Sequence, residues 1–271
     1  MAQARPITFL SDYGLEDEFV GVCHAVIAQI APDAAVIDLT HRVGRQDVMQ
    51  GAVALANALP FCPPGVHLAV VDPGVGSPRR AVAMALAEEG RFLVGPDNGL
   101  LSRAADRLRG AVEAVDVGRS PFRLEPLSST FHGRDLFAPV AAHLALGARL
   151  EEAGEPIEVA SLSSLELPSP EIGADRVTAH AIHTDGYGNV TLNVDASMLT
   201  AGPLKPGGRI EVRAPDGRFE ALWARTFADV EPGDLLLYKD SSGALALAAS
   251  GGNAAGLLDL RPGASVELRP R

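Results

Sequence analysis

Two short stretches of the chain hold side chains that could act together on a small reacting molecule. The first, VVDPGVGSPRR (residues 70–80), places the carboxylate of Asp72 seven residues before the guanidinium of Arg79, across a Pro-Gly-rich turn. The second, STFHGRD (residues 129–135), places His132 beside a glycine, just before a segment with helical spacing. A carboxylate, a guanidinium and an imidazole are the groups needed to bind a small nucleophile, orient it and manage its proton. Together the two motifs predict a site.

Each of these residues, taken alone, also has a structural interpretation. An aspartate that ends a strand and precedes Pro-Gly can cap a turn, and Arg79, followed by Arg80, can be a solvated surface charge. A single histidine is more often structural than catalytic. The position of His132 favours a functional role, because it follows Ser129 and Thr130 at a predicted helix N-terminus, where backbone amides can hold an anion.

A third stretch, HTDGYGNVTLN (residues 183–193), offers groups suited to binding rather than to proton transfer. Asp185, Tyr187 and Asn189 supply a carboxylate, an aromatic face and an amide, a set that suits an amino group and a purine ring. The letters DGYGN are equally typical of a plain hairpin turn, and DSSG (residues 240–243) has the same ambiguity. Both interpretations stay open on these residues alone.

The order of the apolar segments predicts which elements position the first two stretches. Strand-like runs alternate with segments of helical spacing over residues 7–146, and this βαβ rhythm predicts a largely parallel sheet covered on both faces. In such sheets ligands gather at the carboxyl ends of the strands. Asp12, Asp72 and the PDNG turn (residues 96–99) each follow a predicted strand. We therefore expect them to lie in one cleft.

The composition changes after residue 150, where Glu, Ser and Pro become frequent and the periodicity weakens. This change predicts an N-terminal α/β domain over residues 1–155, a linker over 156–174 and a C-terminal domain over 175–271. In the last segment, short strand-like runs are separated by Gly, Pro and Asp turns. That pattern favours a small β-barrel or sandwich.

The overall composition limits the classes of partner. The 271 residues are 47% hydrophobic and 21% charged, as in a soluble protein with a substantial core, and the formal net charge is −11. Neither nucleic acid nor an anionic membrane surface is an expected partner of so acidic a chain. No run approaches the ~20 apolar residues that span a bilayer, and the first dozen residues show no signal-peptide pattern. We expect a cytoplasmic protein.

The sequence lacks the common motifs for metals and cofactors. Cys23 and Cys62 are not in a CxxC spacing, and His132 is not in an HExxH. The remaining histidines have no recognisable metal-ligand spacing; they are residues 24, 41, 67, 143, 180 and 183. GxSxG, P-loop and GxGxxG motifs are also missing. We therefore expect no metal and no cofactor.

Seven motifs in order resemble the S-adenosyl-L-methionine (SAM) hydroxide adenosyltransferase family, the adenosine-forming SAM hydrolases related to fluorinase and chlorinase. They are FLSDYGLEDEFVG, VIDLTH with QDVMQGA, VVDPGVGSPRR, VGPDNGLLS, TFHGRDLFAPVAAHLA, TDGYGNVTLN, and DSSGALALA with GGNA. The resemblance covers nearly the whole chain. It implies an α/β fold class, with an N-terminal mainly parallel sheet flanked by helices and a smaller C-terminal β-barrel domain. It also implies a homotrimer whose active sites lie between one subunit's N-terminal domain and its neighbour's C-terminal domain.

The same resemblance implies hydrolysis of SAM to adenosine and L-methionine by attack of water or hydroxide at C5′. It identifies Asp72, Arg79 and His132 as the triad that activates water or hydroxide. The substrate-binding residues it implies are Asp12 for the ribose diol with Asp17 beside it, Gly133 next to the triad, Asp185, Ser241 and Ser242 at the methionine end, Tyr187 and Asn189 at the adenine, and Gly251 in the pocket backbone.

Two other functions remain as alternatives. Halogenating relatives carry a tyrosine at the positions matching Asp72 and His132, fluorinase has a serine where this chain has Gly133, and both have a longer N-terminal-domain loop. These departures favour water over a halide as the nucleophile. A protein that only binds adenosine or SAM would need none of the three triad residues. Hydrolysis is therefore the preferred hypothesis.

Overall fold

The computed structural model describes residues 4–200 and 202–271. They form two compact units, and the boundary between the units lies between Leu165 and Glu166. Residues 1–3, at the start of the segment assessed above for a signal peptide, lie outside the described residues. Over the part of the chain that is described, no helix has the length and apolar character to cross a membrane.

The first unit is built on a mixed sheet, with seven strands among the described residues. Its spatial order is β2-β1-β3-β5-β4-β6-β7. The strands are β1 (Ile7–Ser11), β2 (Val36–Thr40), β3 (Val66–Val70), β4 (Ala81–Leu86), β5 (Phe92–Pro96), β6 (Ala111–Asp116) and β7 (Glu155–Ile157). The first six lie within residues 7–146, where strand-like runs were predicted, whereas β7 is a short edge strand in the segment of changed composition.

Strand direction in this sheet follows from the lengths of the connections. β2, β1, β3 and β5 pair in parallel, while β4 is antiparallel to both β5 and β6. Residues 87–91 join β4 to β5, and a connection this short can only form a hairpin, whereas parallel strands need a crossover. The sheet therefore remains mainly parallel in strand direction, with β4 and β7 reversed.

Helices cover both faces of the first sheet, as the sequence predicted. They are α1 (Phe19–Ile30), α2 (Val48–Ala58), α3 (Ser102–Arg107), α4 (Ala138–Ala145) and α5 (Leu150–Ala153). Side chains of a strand alternate between faces, so Phe9 belongs to the core beneath α1 and α4 while Leu10 belongs to the core beneath α2 and α3. Asp47 caps the N-terminus of α2, since its side chain accepts a hydrogen bond from the Gln50 amide at 2.9 Å.

The second unit is a closed β-barrel. Its strands are β8 (Glu171–Ile172), β9 (Val177–Thr184), β10 (Val190–Asp195), β11 (Arg209–Ala214), β12 (Gly217–Trp223), β13 (Leu235–Lys239), β14 (Ala244–Ala249) and β15 (Ser265–Pro270), with helix α6 (Ala254–Leu258) between the last two. The order β10-β14-β13-β12-β11-β15-β9 closes because β9 also pairs with β10. Closure decides between the barrel and the sandwich that the sequence left open, and it leaves no free edge among these seven strands, while β8 pairs only with β9.

Candidate active site

The carboxyl ends of β1 and β3 bring two of the predicted aspartates to one edge of the first sheet. The strands pair in parallel with Ser11 opposite Val70, so Asp12 and Asp72 follow neighbouring strand ends. Burial raises the pKa of Asp12, and the nearby charge of Asp72 raises it further, although the Gln46 amide donates to Asp12 Oδ2 at 2.8 Å. The predicted grouping of these two carboxylates is therefore observed.

Arg79 forms hydrogen bonds to the Asp72 carboxylate through two of its nitrogens. Nε donates to Oδ1 at 2.9 Å and to Oδ2 at 3.1 Å, and Nη2 donates to Oδ2. The Asp72 side chain is only 6% exposed and that of Arg79 11% exposed, so water screens this ion pair weakly. The solvated-charge interpretation of Arg79 is wrong, because the guanidinium is sequestered beside the carboxylate.

The turn between Asp72 and Arg79 needs its glycines. Gly76 has a φ of +76°, and a Cβ at this position would lie 2.5 Å from the backbone oxygen of Ser129. Any side chain would therefore push apart the two segments that carry the triad. The glycine-rich sequence thus positions the site by allowing a close backbone approach.

His132 joins the same cluster through its Nδ1 atom, which lies 2.9 Å from Arg79 Nη2. A guanidinium can only donate, so Nδ1 accepts and the proton of the neutral imidazole is on Nε2. Burial lowers the pKa of His132, and the Arg79 charge lowers it further. The side chain is therefore a neutral N–H donor at neutral pH.

The segment that carries His132 begins a helix, as predicted. A π-helical turn, Gly133–Phe137, leads directly into α4, and His132 immediately precedes it. Asp135, only 1% exposed, holds the preceding loop because its Oδ2 accepts from the Ser128 amide at 2.9 Å. The Arg79 guanidinium also lies 5.3 Å from the centre of the Phe137 ring, a cation–π contact that supports its orientation.

Tyr13 is a member of the cluster that the sequence analysis missed. A Cβ added to Gly133 would lie 2.0 Å from the Tyr13 hydroxyl oxygen, so the phenol occupies the space that only a glycine leaves. Burial raises the pKa of Tyr13 well above its usual value, and the charges of Asp12 and Asp72 add to the increase. The signal was its place in the sequence, directly after the strand-end aspartate.

Asp17 and Asp97, which were predicted to lie near the site, do not join the triad. Asp17 is exposed on the connection between β1 and α1. In the PDNG turn, Asn98 and Asp97 make different contacts. Asn98 Nδ2 donates to the backbone oxygen of Val71 at 2.9 Å, which keeps the turn beside Asp72. Asp97 instead accepts from Arg80 Nε at 2.8 Å and from the Ser163 amide at 2.7 Å, so its role is structural.

In the second unit, the barrel forms an open cavity of about 660 Å³, within the ~300–1,000 Å³ usual for small-ligand sites. Four of the predicted residues line it: Asp185, Tyr187, Asn189 and Gly251. The lining also includes Phe227, Tyr238, Ala249 and Gly252, which the sequence analysis did not identify. The Phe227 and Tyr238 rings are 5.2 Å apart and, with the 83% exposed Tyr187, give the cavity the aromatic walls that suit a flat heterocycle.

Asp185 also organises the turn on which it lies. Its Oδ1 accepts from the amides of Tyr187 and Asn189, both at 2.9 Å, and its Oδ2 accepts from Asn189 Nδ2 at 2.8 Å. Its charge also contributes to raising the pKa of Tyr238 to about 12, after the larger effect of burial. The hairpin-turn and binding interpretations of this motif are therefore compatible.

Ser241 and Ser242 lie on the turn between β13 and β14, outside the lining of this cavity. The Ser242 hydroxyl donates to Asp240 Oδ1 at 2.6 Å, and that oxygen also accepts the Ser242 and Ala244 amides. The structure thus shows these serines in a tight, aspartate-centred turn. Their binding role stays a prediction.

Comparison with known proteins agrees with the geometry of both units. Residues 7–154 match the SAM hydroxide adenosyltransferase N-terminal domain, and residues 179–267 match the corresponding C-terminal domain. The chain belongs to the SAM hydroxide adenosyltransferase family. A protein of Salinispora tropica named (R)-S-adenosyl-L-methionine hydrolase is 48% identical over 263 residues, which cover 97% of each chain.

Proteins named as SAM hydrolases and proteins named as fluorinases both align with this chain, at different sequence identities. A fluorinase of Nocardia brasiliensis is 29% identical over 98% of this chain and 97% of its own length. A crystal structure of an uncharacterised conserved protein from Thermotoga maritima superposes with a TM-score of 0.90 at 36% identity, covering 97% of this chain and 99% of that one. The greater identity is thus to the protein named as a hydrolase.

Proposed function

We propose that this protein hydrolyses SAM to adenosine and L-methionine by attack of water at C5′. The observation that carries the proposal is the contiguous Asp72–Arg79–His132 cluster at the carboxyl edge of the sheet. It occurs in a chain that matches both domains of the SAM hydroxide adenosyltransferase family.

The reaction needs a nucleophile held in line with a bond that is already weak. The sulfonium of SAM leaves as the neutral thioether of methionine, and the C5′–S electron pair moves onto sulfur as the C5′–O bond forms. No redox change occurs, and we propose that the reaction requires no cofactor. Fixing water within reach of C5′ then supplies much of the rate enhancement, because it removes the entropy cost of bringing the reactants together.

The triad geometry suggests which group takes the proton of water. His132 accepts from Arg79 at Nδ1 and presents an N–H at Nε2, so the neutral ring acts as a donor that orients water. Asp72 retains oxygen lone pairs beyond its contacts with Arg79, and we assign it as the proton acceptor. A carboxylate is basic enough because the proton becomes strongly acidic as the C–O bond forms.

The charges in the cluster favour water over halide. Asp12 and Asp72 lie close enough for the Asp72 charge to raise the pKa of Asp12. An incoming chloride or fluoride would meet these carboxylates, whereas water carries no charge and can donate to one of them. The sulfonium, in turn, is attracted by the same carboxylates.

The residues of the barrel cavity are proposed to hold the two ends of the substrate. Tyr187 and Asn189 are assigned to adenine, and Asp185 to the methionine amino group, since an aromatic face, an amide and a carboxylate complement these groups. Following the family resemblance, we propose a homotrimer in which cavity residues and triad residues come from neighbouring subunits. We also propose a cytoplasmic location, which agrees with the two unpaired cysteines, Cys23 and Cys62.

Incubation of the purified protein with SAM in ¹⁸O-labelled water tests the reaction. Adenosine and methionine should form in equal amounts, with the heavy oxygen in the 5′-hydroxyl of adenosine. Unlabelled adenosine, or methylthioadenosine as the product, would contradict attack of water at C5′. Addition of chloride should yield no 5′-chloro-5′-deoxyadenosine, and its appearance would instead support halide transfer.

A further inference from the structure

Two histidines and an aspartate form a second cluster of side chains, outside the triad and at the edge of the first sheet. His24 is on α1, Asp38 is on β2, and His41 follows the end of β2. His24 Nε2 lies 2.9 Å from Asp38 Oδ1, and His41 Nε2 lies 3.0 Å from the same oxygen. All three ligand-type atoms are within 4.8 Å of one another. The sequence spacing gave no indication of this meeting, because the helix and the strand bring the residues together only in the fold.

His41 shows an unusual feature for a buried histidine. Its side chain is 2% exposed, yet Nε2 has no hydrogen-bond partner within the described part of the chain. The atom faces Asp38 Oδ1 at 3.0 Å without hydrogen-bonding geometry. A buried ring nitrogen without a partner is costly, and native proteins usually satisfy such an atom with a protein group, water or an ion.

The other nitrogen of His41 is already fixed. Nδ1 lies 2.8 Å from Ser11 Oγ, deep beside β1. Donation from Nδ1–H to that hydroxyl leaves the lone pair of Nε2 directed toward Asp38 and His24. Metal-ligating histidines characteristically make such a contact with the ring nitrogen that does not bind the ion, since it sets the tautomer and orients the ring.

From these observations we propose that His24, Asp38 and His41 form a binding site for a divalent transition metal ion, separate from the triad. Two imidazoles and one carboxylate suit Zn²⁺ and its neighbours, whereas Mg²⁺ and Ca²⁺ prefer all-oxygen sites. Bonds of about 2.0–2.1 Å place neighbouring tetrahedral ligands about 3.3 Å apart, so the two histidine–Asp38 separations of 2.9 and 3.0 Å need to open by only a few tenths of an ångström. Partial exposure of His24 and Asp38 leaves a path for the ion and a position for water.

The site also adjoins the segment that carries Asp12. The Gly14 amide donates to the His41 backbone oxygen at 2.8 Å, and the Tyr13 amide donates to Ser11 Oγ at 3.3 Å. An ion bound at the site would therefore hold the start of the β1–α1 connection. Its expected effect is on the stability of this region, because none of the three ligands belongs to the triad.

The test uses the full-length protein after treatment with a chelator and its removal by dialysis. Titration with ZnCl₂, followed by calorimetry, should show one ion per chain. Titration with CoCl₂ should produce the visible absorption of four- or five-coordinate cobalt with nitrogen and oxygen ligands. Zn²⁺ should also raise the melting temperature by a few degrees, because the ion binds the folded state.

Two ligand variants and one matched control decide the location of the ion. His24→Ala and Asp38→Asn change partly exposed side chains, and each should weaken Zn²⁺ binding by on the order of tenfold or more. His180→Ala, which removes a histidine from the barrel instead, should bind like the parent. An absence of bound Zn²⁺ and Co²⁺, or binding unchanged in both ligand variants, would show that the cluster is only a hydrogen-bonded ion pair and overturn the proposal.

Discussion

The guanidinium of Arg79 donates from Nη2 to Nδ1 of His132 at 2.9 Å, while its Nε donates to Asp72 at 2.9 Å. One side chain therefore fixes both the carboxylate and the imidazole. It also determines the imidazole tautomer, because Nδ1 can accept from a guanidinium only when the proton is on Nε2. This arrangement gives each triad member a distinct task and makes those tasks measurable.

Activity should fall on the acid side at a pH below the ordinary pKa of histidine. Burial and the Arg79 charge lower the pKa of His132 below 6.5, so the ring stays neutral until the pH falls below that value. Protonated Nδ1 cannot accept the hydrogen bond from Arg79, so this contact would be lost and the rate would fall. We expect kcat/KM to be constant between about pH 7 and 8 and to decline below about 6.5.

The control for this profile is His132→Gln. This variant should be less active than the parent, and its kcat/KM should lack the decline that protonation of the imidazole causes. The comparison is needed because the pKa of Asp12 is also raised and Asp12 can contribute to the profile at lower pH. A midpoint above 6.5 in the parent, or the same acid limb in the variant, would contradict the neutral-donor role of His132.

Arg79→Lys should reduce turnover strongly even though it preserves the positive charge. A lysine ammonium cannot reproduce the planar fork that contacts both Asp72 and His132. Loss of one such preorganised contributor typically costs on the order of a hundredfold in rate. The neighbouring Arg80→Lys is the matched control, because Arg80 pairs with Asp97 and Ser161 outside the triad. Equal kcat values for the two variants would show that Arg79 only shapes the cleft.

Introduction of a methyl group at Gly133 should disturb Tyr13. The added Cβ of Gly133→Ala would lie 2.0 Å from the Tyr13 hydroxyl oxygen, well inside contact distance, so the phenol must move out of the cluster. Activity should fall and the melting temperature should decrease. The double variant Gly133→Ala with Tyr13→Phe should recover part of both, because it removes the clashing oxygen. Additive losses in the double variant would mean that the two residues do not interact in this way.

The fold followed from the sequence to a large extent because its strands are short apolar runs bounded by turn residues. What the sequence could not give was geometry that depends on distant segments meeting. Tyr13 joins the triad only because the π-helical turn before α4 begins at a glycine beside it, and His24 meets His41 only after α1 packs on the sheet. The antiparallel direction of β4 was not predicted either, although the short connection over residues 87–91 indicates it.

The same limit applies within the predicted site. Asp97 and Asp72 both follow strands in a Pro-containing turn, yet Arg80 turns one of them into a structural ion pair while Arg79 joins the other to His132. The distinction depends on which arginine reaches which carboxylate. Residue types and spacing already grouped Asp72 with Arg79 and His132, and the family resemblance implied the same triad. They did not indicate that Asp97 would pair with Arg80 instead.

The buried His67 should make the stability of the fold depend on pH. Its Nδ1 lies 2.9 Å from Thr8 Oγ1, and its Nε2 lies 3.1 Å from Arg91 Nη1, which must be the donor. Burial, together with the Arg91 charge, lowers the pKa of His67 to about 4. The unfolded chain therefore binds a proton below about pH 6.5 that the folded chain does not bind until about pH 4.

Stability should consequently fall as the pH decreases from about 6.5 to 4, with a contribution from His67 of about 3 kcal/mol. Urea unfolding at pH 7 and at pH 4.5 measures the change, at a fixed protein concentration because any oligomer links stability to concentration. His67→Gln keeps polar atoms but cannot titrate, so its unfolding free energy should vary less over the same interval. Parallel pH curves for parent and variant would contradict the assignment.

The proposed trimer can be tested by measuring whether two inactive variants restore activity when they assemble together. Arg79→Ala removes the centre of the triad, and Asp185→Ala removes a carboxylate of the barrel cavity. If each active site combines the first unit of one subunit with the second unit of its neighbour, a mixed trimer regains about one intact site in three. If each site uses both units of one chain, every site in the mixture carries a defect and none is restored.

The two variants should be co-expressed with different affinity tags, so that only mixed assemblies survive two successive purifications. Light scattering should report three chains, and SAM hydrolysis should return to about a third of the parent rate. Arg79→Ala co-expressed with Asp72→Ala is the matched control, because both changes affect the triad and no combination restores it. Since Asp185 also holds its turn with three hydrogen bonds, circular dichroism must first show that Asp185→Ala retains the barrel. Recovery in the test pair but not in the control supports shared sites, whereas no recovery in a folded, mixed trimer would place each site within one chain.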